Sequence, residues 1–168
     1  MSEPKSRREV FLKLGFGAGV AALGAQAVAS LRSLVPNVSY DAPTTVKLGM
    51  PLDFPDGMKF LPDERLFVFR EGKTFHAVSA VCTHLGCTVR AEALPQPVTN
   101  TVRGVPLRMT HRFLCPCHGS KYSGDGSNVS GPAPKPLAWY FLSLAPDDGQ
   151  LVVDLALPVG QDFRFTLV

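Results

Sequence analysis

Two short segments hold all four cysteines of this 168-residue chain and two of its four histidines. They are Cys82-Thr83-His84-Leu85-Gly86-Cys87 and Cys115-Pro116-Cys117-His118-Gly119-Ser120. In each, a cysteine stands two or three residues before a histidine, so each loop can offer a thiolate and an imidazole to one metal centre. Any fold of this chain has to bring these loops together. Zinc accepts two sulfurs and two nitrogens in a tetrahedron and stands as an alternative on ligand type. Three features weigh against it. Cys-x-His and Cys-x-x-His are unlike the paired-cysteine, paired-histidine order of zinc fingers. Gly86, Gly119 and Pro116 shape loops whose amides can face bridging sulfides. Each loop also carries a second cysteine, Cys87 and Cys117, beyond what four-coordination uses.

The segments around these loops are short and β-rich. Arg65–Arg70 and Thr74–Ser79 form a hairpin about Glu71-Gly72-Lys73. Further strands are expected at Arg108–Leu114, Trp139–Leu144, Gln150–Leu155 and Asp162–Leu167, with a turn at Pro146-Asp147-Asp148-Gly149. Fifteen glycines and fifteen prolines favour a loop-rich β protein over a helical bundle. The fold class is therefore all-β, an antiparallel sandwich or small barrel. Phe67, Phe69, Phe75, Trp139 and Phe141 are expected to pack in its core. His76 and His111 are expected as strand or surface residues without a ligand role. No internal repeat is evident. A net charge of +3, without a basic run, gives no reason to expect nucleic acid as a partner.

The N-terminus is different. Leu14 to Leu31 is apolar and rich in Gly and Ala, interrupted only by Gln26 and Ser30. Eighteen helical residues span roughly 27 Å, enough for a hydrocarbon core. Arg7-Arg8 before it resembles a twin-arginine export signal, although two residues rather than one separate the pair from Phe11-Leu12-Lys13. Lys5, Arg7, Arg8 and Lys13 keep the N-terminus cytoplasmic by the positive-inside rule. The remainder then lies on the periplasmic side of a bacterial-type inner membrane, where disulfides persist. Ala25-Gln26-Ala27 and Ala27-Val28-Ala29 are small-x-small sites of the kind signal peptidase cuts.

The pair CTHLGC and CPCHGS resembles the signature of Rieske iron–sulfur proteins, specifically the quinol-oxidising cytochrome bc family. That resemblance implies a [2Fe–2S] cluster with Cys82 and Cys115 on one iron and His84 and His118 on the other. It implies a Cys87–Cys117 disulfide. Ser120 and Tyr122 match hydroxyls that hydrogen-bond a bridging sulfide and a ligand sulfur. Gly131-Pro132-Ala133-Pro134 matches a proline loop over the cluster, and Leu85 an apolar residue at the exposed tip. The implied architecture is a Rieske-type antiparallel β-sandwich with a small cluster-binding subdomain. Its parts are an uncleaved anchor over residues 1–33, a linker over 34–44 and the [2Fe–2S] domain over 45–168, with the cluster-binding part at about 80–136.

The implied activity is electron transfer within a quinol–cytochrome c oxidoreductase. The electron would leave quinol, coupled to a proton on His118 or His84, and reach a c-type cytochrome. A cytochrome b subunit would supply most of the quinol pocket. Two other classes are the small subunit of an arsenite oxidase, which also carries an export signal, and a soluble Rieske ferredoxin. The latter generally lacks the extra cysteines and the anchor. One segment departs from the family pattern. The link from Thr88 to Leu114 is longer than usual, with the excess centred on Ala91 to Leu107. The simpler expectation for it is a tolerated surface hairpin; a contact with a partner subunit is the sharper one.

Overall fold

The computed structural model describes residues 6–35 and 44–167. It divides into an N-terminal unit and a β unit beginning at Pro43. The expected linker lies outside the described residues from Pro36 to Pro43, as does Lys5.

The N-terminal unit is one helix, α1 (Arg7–Ser33). Ser6 caps it by accepting the Glu9 N–H at 3.3 Å, satisfying one of the donors that a first helical turn leaves free. Lys13 pairs with Glu9 one turn earlier, at 2.7 Å. Its 27 residues extend about 40 Å. No residue of it is buried. It is long and apolar enough to cross a membrane, a test that a signal sequence also passes.

The β unit contains, in chain order, β1 (Thr45–Gly49), β2 (Gly57–Leu61), β3 (Leu66–Glu71), β4 (Thr74–Ser79), β5 (Arg90–Val102), β6 (Val105–Leu114), β7 (Lys121–Tyr122), β8 (Asn128–Ser130), β9 (Trp139–Leu144), β10 (Leu151–Val159) and β11 (Phe165–Thr166). All named pairs are antiparallel. One sheet runs β1-β10-β9-β4-β3-β2, with β11 on β4; the other runs β5-β6-β7-β8. The all-β class and the separate small sheet for the two loops agree with the sequence reading.

The pattern in β3 explains the layering. Leu66, Phe67, Val68 and Phe69 are all buried. A strand buried on both faces reads as a continuous apolar run. Leu66 and Val68 join Phe54, Phe75, Ala77, Leu142, Leu151 and Val153 in one core. Phe67 and Phe69 join Val78, Trp139, Leu107, Met109, Phe113 and Tyr122 in the other. The second core welds the loop-bearing sheet to the larger one. Stacking of Phe67 on Phe113, with centroids 5.0 Å apart, crosses this seam.

Three sequence expectations are corrected. Phe141 is only part-buried, facing Phe163 with ring centroids 5.3 Å apart. The last strand shrinks to Phe165–Thr166, because only these residues pair with β4. The long link is a hairpin, β5–β6, but not merely a surface one. Leu107 and Met109 of β6 are buried in the core with the ligand loops. Its register slips between Ala93 and Val98, where Pro95 and Pro97 remove ladder donors. Gly124 packs so closely that an added Cβ would lie 2.5 Å from Met109 Cβ and 2.6 Å from the His111 carbonyl oxygen.

Candidate metal centre

The first loop leaves β4 and enters β5. Its mouth is closed by a bridge between Val81 and Thr88. The second loop joins β6 to β7. Each repeats one backbone pattern. Cys82 N–H donates to the Cys87 carbonyl at 2.8 Å, and Gly86 N–H to the Cys82 carbonyl at 2.9 Å. Cys115 N–H donates to the Ser120 carbonyl at 2.8 Å, and Gly119 N–H to the Cys115 carbonyl at 3.1 Å. The fifth residue of both is glycine with positive φ, +77° at Gly86 and +73° at Gly119, a backbone that side chains resist. The two loops thus share one backbone hydrogen-bond pattern. Their likeness lies in hydrogen bonding and in one glycine, with little side-chain identity.

This geometry sorts the donors. Cys82 and Cys115, at the loop bases, are buried and carry free thiols. Cys87 and Cys117 are joined in a disulfide across the loops. The His84 and His118 rings approach with centroids 4.9 Å apart at 89°. His118 is exposed and His84 part-buried. The Cys115 sulfur also lies within 4.8 Å of both disulfide sulfurs, but those are already bonded to each other, so Cys82 and Cys115 remain the available thiols. His84 Nδ1 is buried without a hydrogen-bond partner. A buried polar atom left unpaired is costly, and a metal ion at that nitrogen would remove the cost.

The hydroxyls around the thiols are oriented by backbone donors. Tyr122 Oη accepts the Thr83 N–H at 3.3 Å, which frees its proton for Cys82 Sγ at 3.2 Å. Thr83 Oγ1 donates its own proton to the Lys135 carbonyl at 2.6 Å. Ser120 Oγ accepts the Ala133 N–H at 3.2 Å, so its proton too is free for sulfur. Burial would push the Cys82 thiol up. Hydrogen bonds from Tyr122, the His84 N–H, Cys115 and Ser120 outweigh it and hold Cys82 below the ordinary thiol value. The Tyr122 hydroxyl is pushed up by burial and by its bond to Cys82, and so keeps its proton.

The segment Gly131-Pro132-Ala133-Pro134 lies against the second loop. A Cβ on Gly131 would sit 2.5 Å from Ser120 Cα and 2.9 Å from Ser120 N. Ala133 is buried, and its carbonyl accepts from the Asn128 side-chain amide. Leu85 is 70% exposed at the tip. Sequence reasoning missed Thr83, Asn128 and Arg65, which brace these loops. Thr83 lies inside the motif and could have been read from it; nothing local marks the other two.

Two buried free thiols and two neighbouring imidazoles, on paired loops joined by a disulfide, make a donor set that suits a metal centre with sulfur and nitrogen ligands on an all-β scaffold. Residues 45–141 match the family model described as Rieske [2Fe-2S] domain, and the chain belongs to that family. A cytochrome b6-f complex iron-sulfur subunit of Chlorobaculum tepidum is 33% identical over 144 residues, which cover 79% of this chain and 70% of the relative. Another such subunit, from Nostoc, is 39% identical over 108 residues, covering 64% of this chain and 50% of the relative. A plasma-membrane Rieske protein of Synechocystis superposes loosely, at 22% identity and a TM-score of 0.40, covering 64% of this chain and 97% of that one.

Proposed function

We propose that Cys82 and Cys115 bind one iron of the [2Fe–2S] cluster through their thiolates, and that His84 and His118 bind the other through imidazole nitrogens. The chain then serves as the anchored electron-transfer subunit of a cytochrome bc-type complex, between quinol and a c-type cytochrome. The observation that carries this is the pair of imidazoles 4.9 Å apart beside two buried free thiols. The relatives' description as cytochrome b6-f subunits supports the assignment to a complex with a cytochrome b partner.

Held by this donor set, the cluster supplies one-electron chemistry, and imidazoles in place of two thiolates make it easier to reduce. The protein's own part is protonic and positional. His118 is exposed, so its ring can accept a hydrogen bond from a quinol hydroxyl and then its proton. Leu85, exposed at the tip of the first loop, offers an apolar contact for the quinol ring or for cytochrome b. His84 is more shielded and serves second in this role. The proline loop and Thr83 hold the hydroxyls of Ser120 and Tyr122 toward sulfur, where they stabilise the more negative reduced state. Residues 1–33 anchor the domain with the N-terminus in the cytoplasm, and residues 34–44 tether the domain of 45–168 on the periplasmic side.

A redox titration of the full chain, read by EPR across a pH series, tests this. The expected signal is that of a mixed-ligand [2Fe–2S] centre whose midpoint potential falls as pH rises through the alkaline range. A pH-independent potential there would remove the proton-accepting role. Replacing both hydroxyls, Ser120→Ala with Tyr122→Phe, is expected to lower the potential by roughly 90 mV, at about 1 kcal/mol per lost bond and 59 mV per tenfold for one electron. An unchanged potential would show that these hydroxyls do not act on sulfur.

A further inference from the structure

We propose that Arg65 is a positioning residue of this redox centre: its guanidinium braces the Gly86 carbonyl and the Thr88 hydroxyl, and so sets a permanent positive charge against the first ligand loop. The inference rests on the ligand set proposed above.

Arg65 stands outside both motifs, in the turn before β3, yet its backbone and side chain are both committed to the loop. Its φ of +51° makes it one of two non-glycine residues with positive φ among the described ones. Such a conformation costs roughly 1–3 kcal/mol and persists only where surroundings enforce it. Here the Arg65 N–H donates to the Pro62 carbonyl at 3.2 Å, and the Arg65 carbonyl accepts the Ala80 N–H at 2.7 Å. Ala80 lies two residues before Cys82, so the turn is tied to the base of the loop. The side chain then reaches its far end. Nε donates to Thr88 Oγ1 at 3.0 Å, and Nη2 donates to the Gly86 carbonyl.

Gly86 and Thr88 flank Cys87, the loop's half of the disulfide. One guanidinium therefore clamps the residues on either side of that cysteine, a two-point grip that a lysine ammonium cannot reproduce. The second loop, alike in its backbone bonds, is braced differently, through Ser120 and Ala133. A positive charge held near the centre favours its reduced, more negative state, and bonds from a charged donor exceed neutral ones.

The test uses the full-length, cluster-loaded protein as wild type, Arg65→Gln, Arg65→Lys and Thr88→Val. EPR of the wild type comes first; a wild-type signal lacking mixed nitrogen and sulfur ligation strikes the ligand assignment, not Arg65. Given that signal, Arg65→Gln is expected to lower the midpoint potential, and the shift shrinks with added salt. Arg65→Lys retains most of the potential. Reduction of Cys87–Cys117 by a small thiol, followed by mass shift, is expected to run roughly tenfold faster in Arg65→Gln and Arg65→Lys, the equivalent of about 1.4 kcal/mol for a lost charge-assisted bond. Thr88→Val, which leaves the Arg65 backbone and charge in place, is expected to accelerate reduction while leaving the potential unchanged. A wild-type potential in Arg65→Gln with an intact signal overturns the charge role. Wild-type reduction rates in both Arg65→Lys and Thr88→Val overturn the brace.

Discussion

Replacing Gly131 with alanine is expected to cost about 2–5 kcal/mol and to lower the cluster's midpoint potential at the same time. Two effects add. The backbone there has φ of +98°, a region that L side chains resist by roughly 1–2 kcal/mol. The new Cβ would also meet Ser120 Cα at 2.5 Å and Ser120 N at 2.9 Å. Those are main-chain atoms of the second loop, closed by the Cys115–Ser120 backbone bond, and they cannot swing aside as a flexible side chain would. Overpacking of this kind adds roughly 1–3 kcal/mol. Relief comes by lifting the proline loop. That breaks the Ala133 N–H bond to Ser120 Oγ and releases the hydroxyl from its orientation toward sulfur. Melting followed by circular dichroism should fall by on the order of 10 °C for a domain of this size, and redox titration should show a lower potential. Gly149→Ala is the control. Its φ is +73°, but nothing lies within 4 Å of a Cβ there, so only the backbone cost applies. Equal melting losses in the two variants, with both potentials intact, would show that the close approach at Gly131 does no work.

Legibility of this fold tracks the range over which each interaction acts. The β3–β4 hairpin was readable because Gly72 and the flanking apolar runs are local signals, and its register, Leu66 opposite Ser79 to Glu71 opposite Thr74, follows from the turn. The two cysteine–histidine loops were readable because each gathers its thiols and its imidazole within six residues. The disulfide followed from resemblance and is present. Strands β7 and β8 escaped notice because they are two and three residues long and show no period of their own. The inward face of β6 escaped because His111 interrupts the alternation of Leu107, Met109 and Phe113 with Arg108, Thr110 and Arg112, and Pro106 stands just before it. Arg65 and Asn128 could not be found at all. Each acts on a residue in another segment, through a backbone carbonyl that carries no sequence signature.

The likeness of the two ligand loops was hidden for the same reason. Cys82 and Cys115 begin them, and Gly86 and Gly119 stand fifth in both. The histidine is third in one and fourth in the other, and the disulfide cysteine sixth and third. Aligning side chains obscures a pattern that the carbonyl–amide pairs make plain. One backbone solution, used twice, delivers a thiol inward at its first position and leaves the imidazole position free to vary. The donors can therefore converge without similar sequences.

Acid is expected to destabilise the β unit well before its carboxylates titrate, through His76. That residue was expected to be a strand or surface histidine. It is in strand β4 and only 4% exposed, stacked on Phe69 with centroids 4.7 Å apart and on Trp139 at 4.5 Å. Burial first, and then the Arg164 charge, push its pKa down to about 3; the Arg164 guanidinium lies 4.9 Å from the Trp139 ring centroid. The unfolded chain, with an ordinary histidine near 6.5, binds the proton throughout the interval in which the folded chain refuses it. Stability is therefore full above about pH 6.5 and falls as pH drops toward 3, by about 1.4 kcal/mol per pH unit, or roughly 2 kcal/mol by pH 5. His111, lowered by burial, adds in the same direction. Asp125, held low by bonds from Ser123 and Ser127 that outweigh its burial, contributes only at more acid pH, below its unfolded value. Denaturant unfolding at pH 7.5 and pH 5 should show the loss. In His76→Phe, which keeps an aromatic ring between Phe69 and Trp139 but has no proton to take, most of it should vanish; His111→Phe should recover less. A His76→Phe variant as acid-sensitive as the wild type would assign the effect elsewhere. On the function proposed here the point has consequence, because quinol oxidation releases protons on the side where this domain would sit.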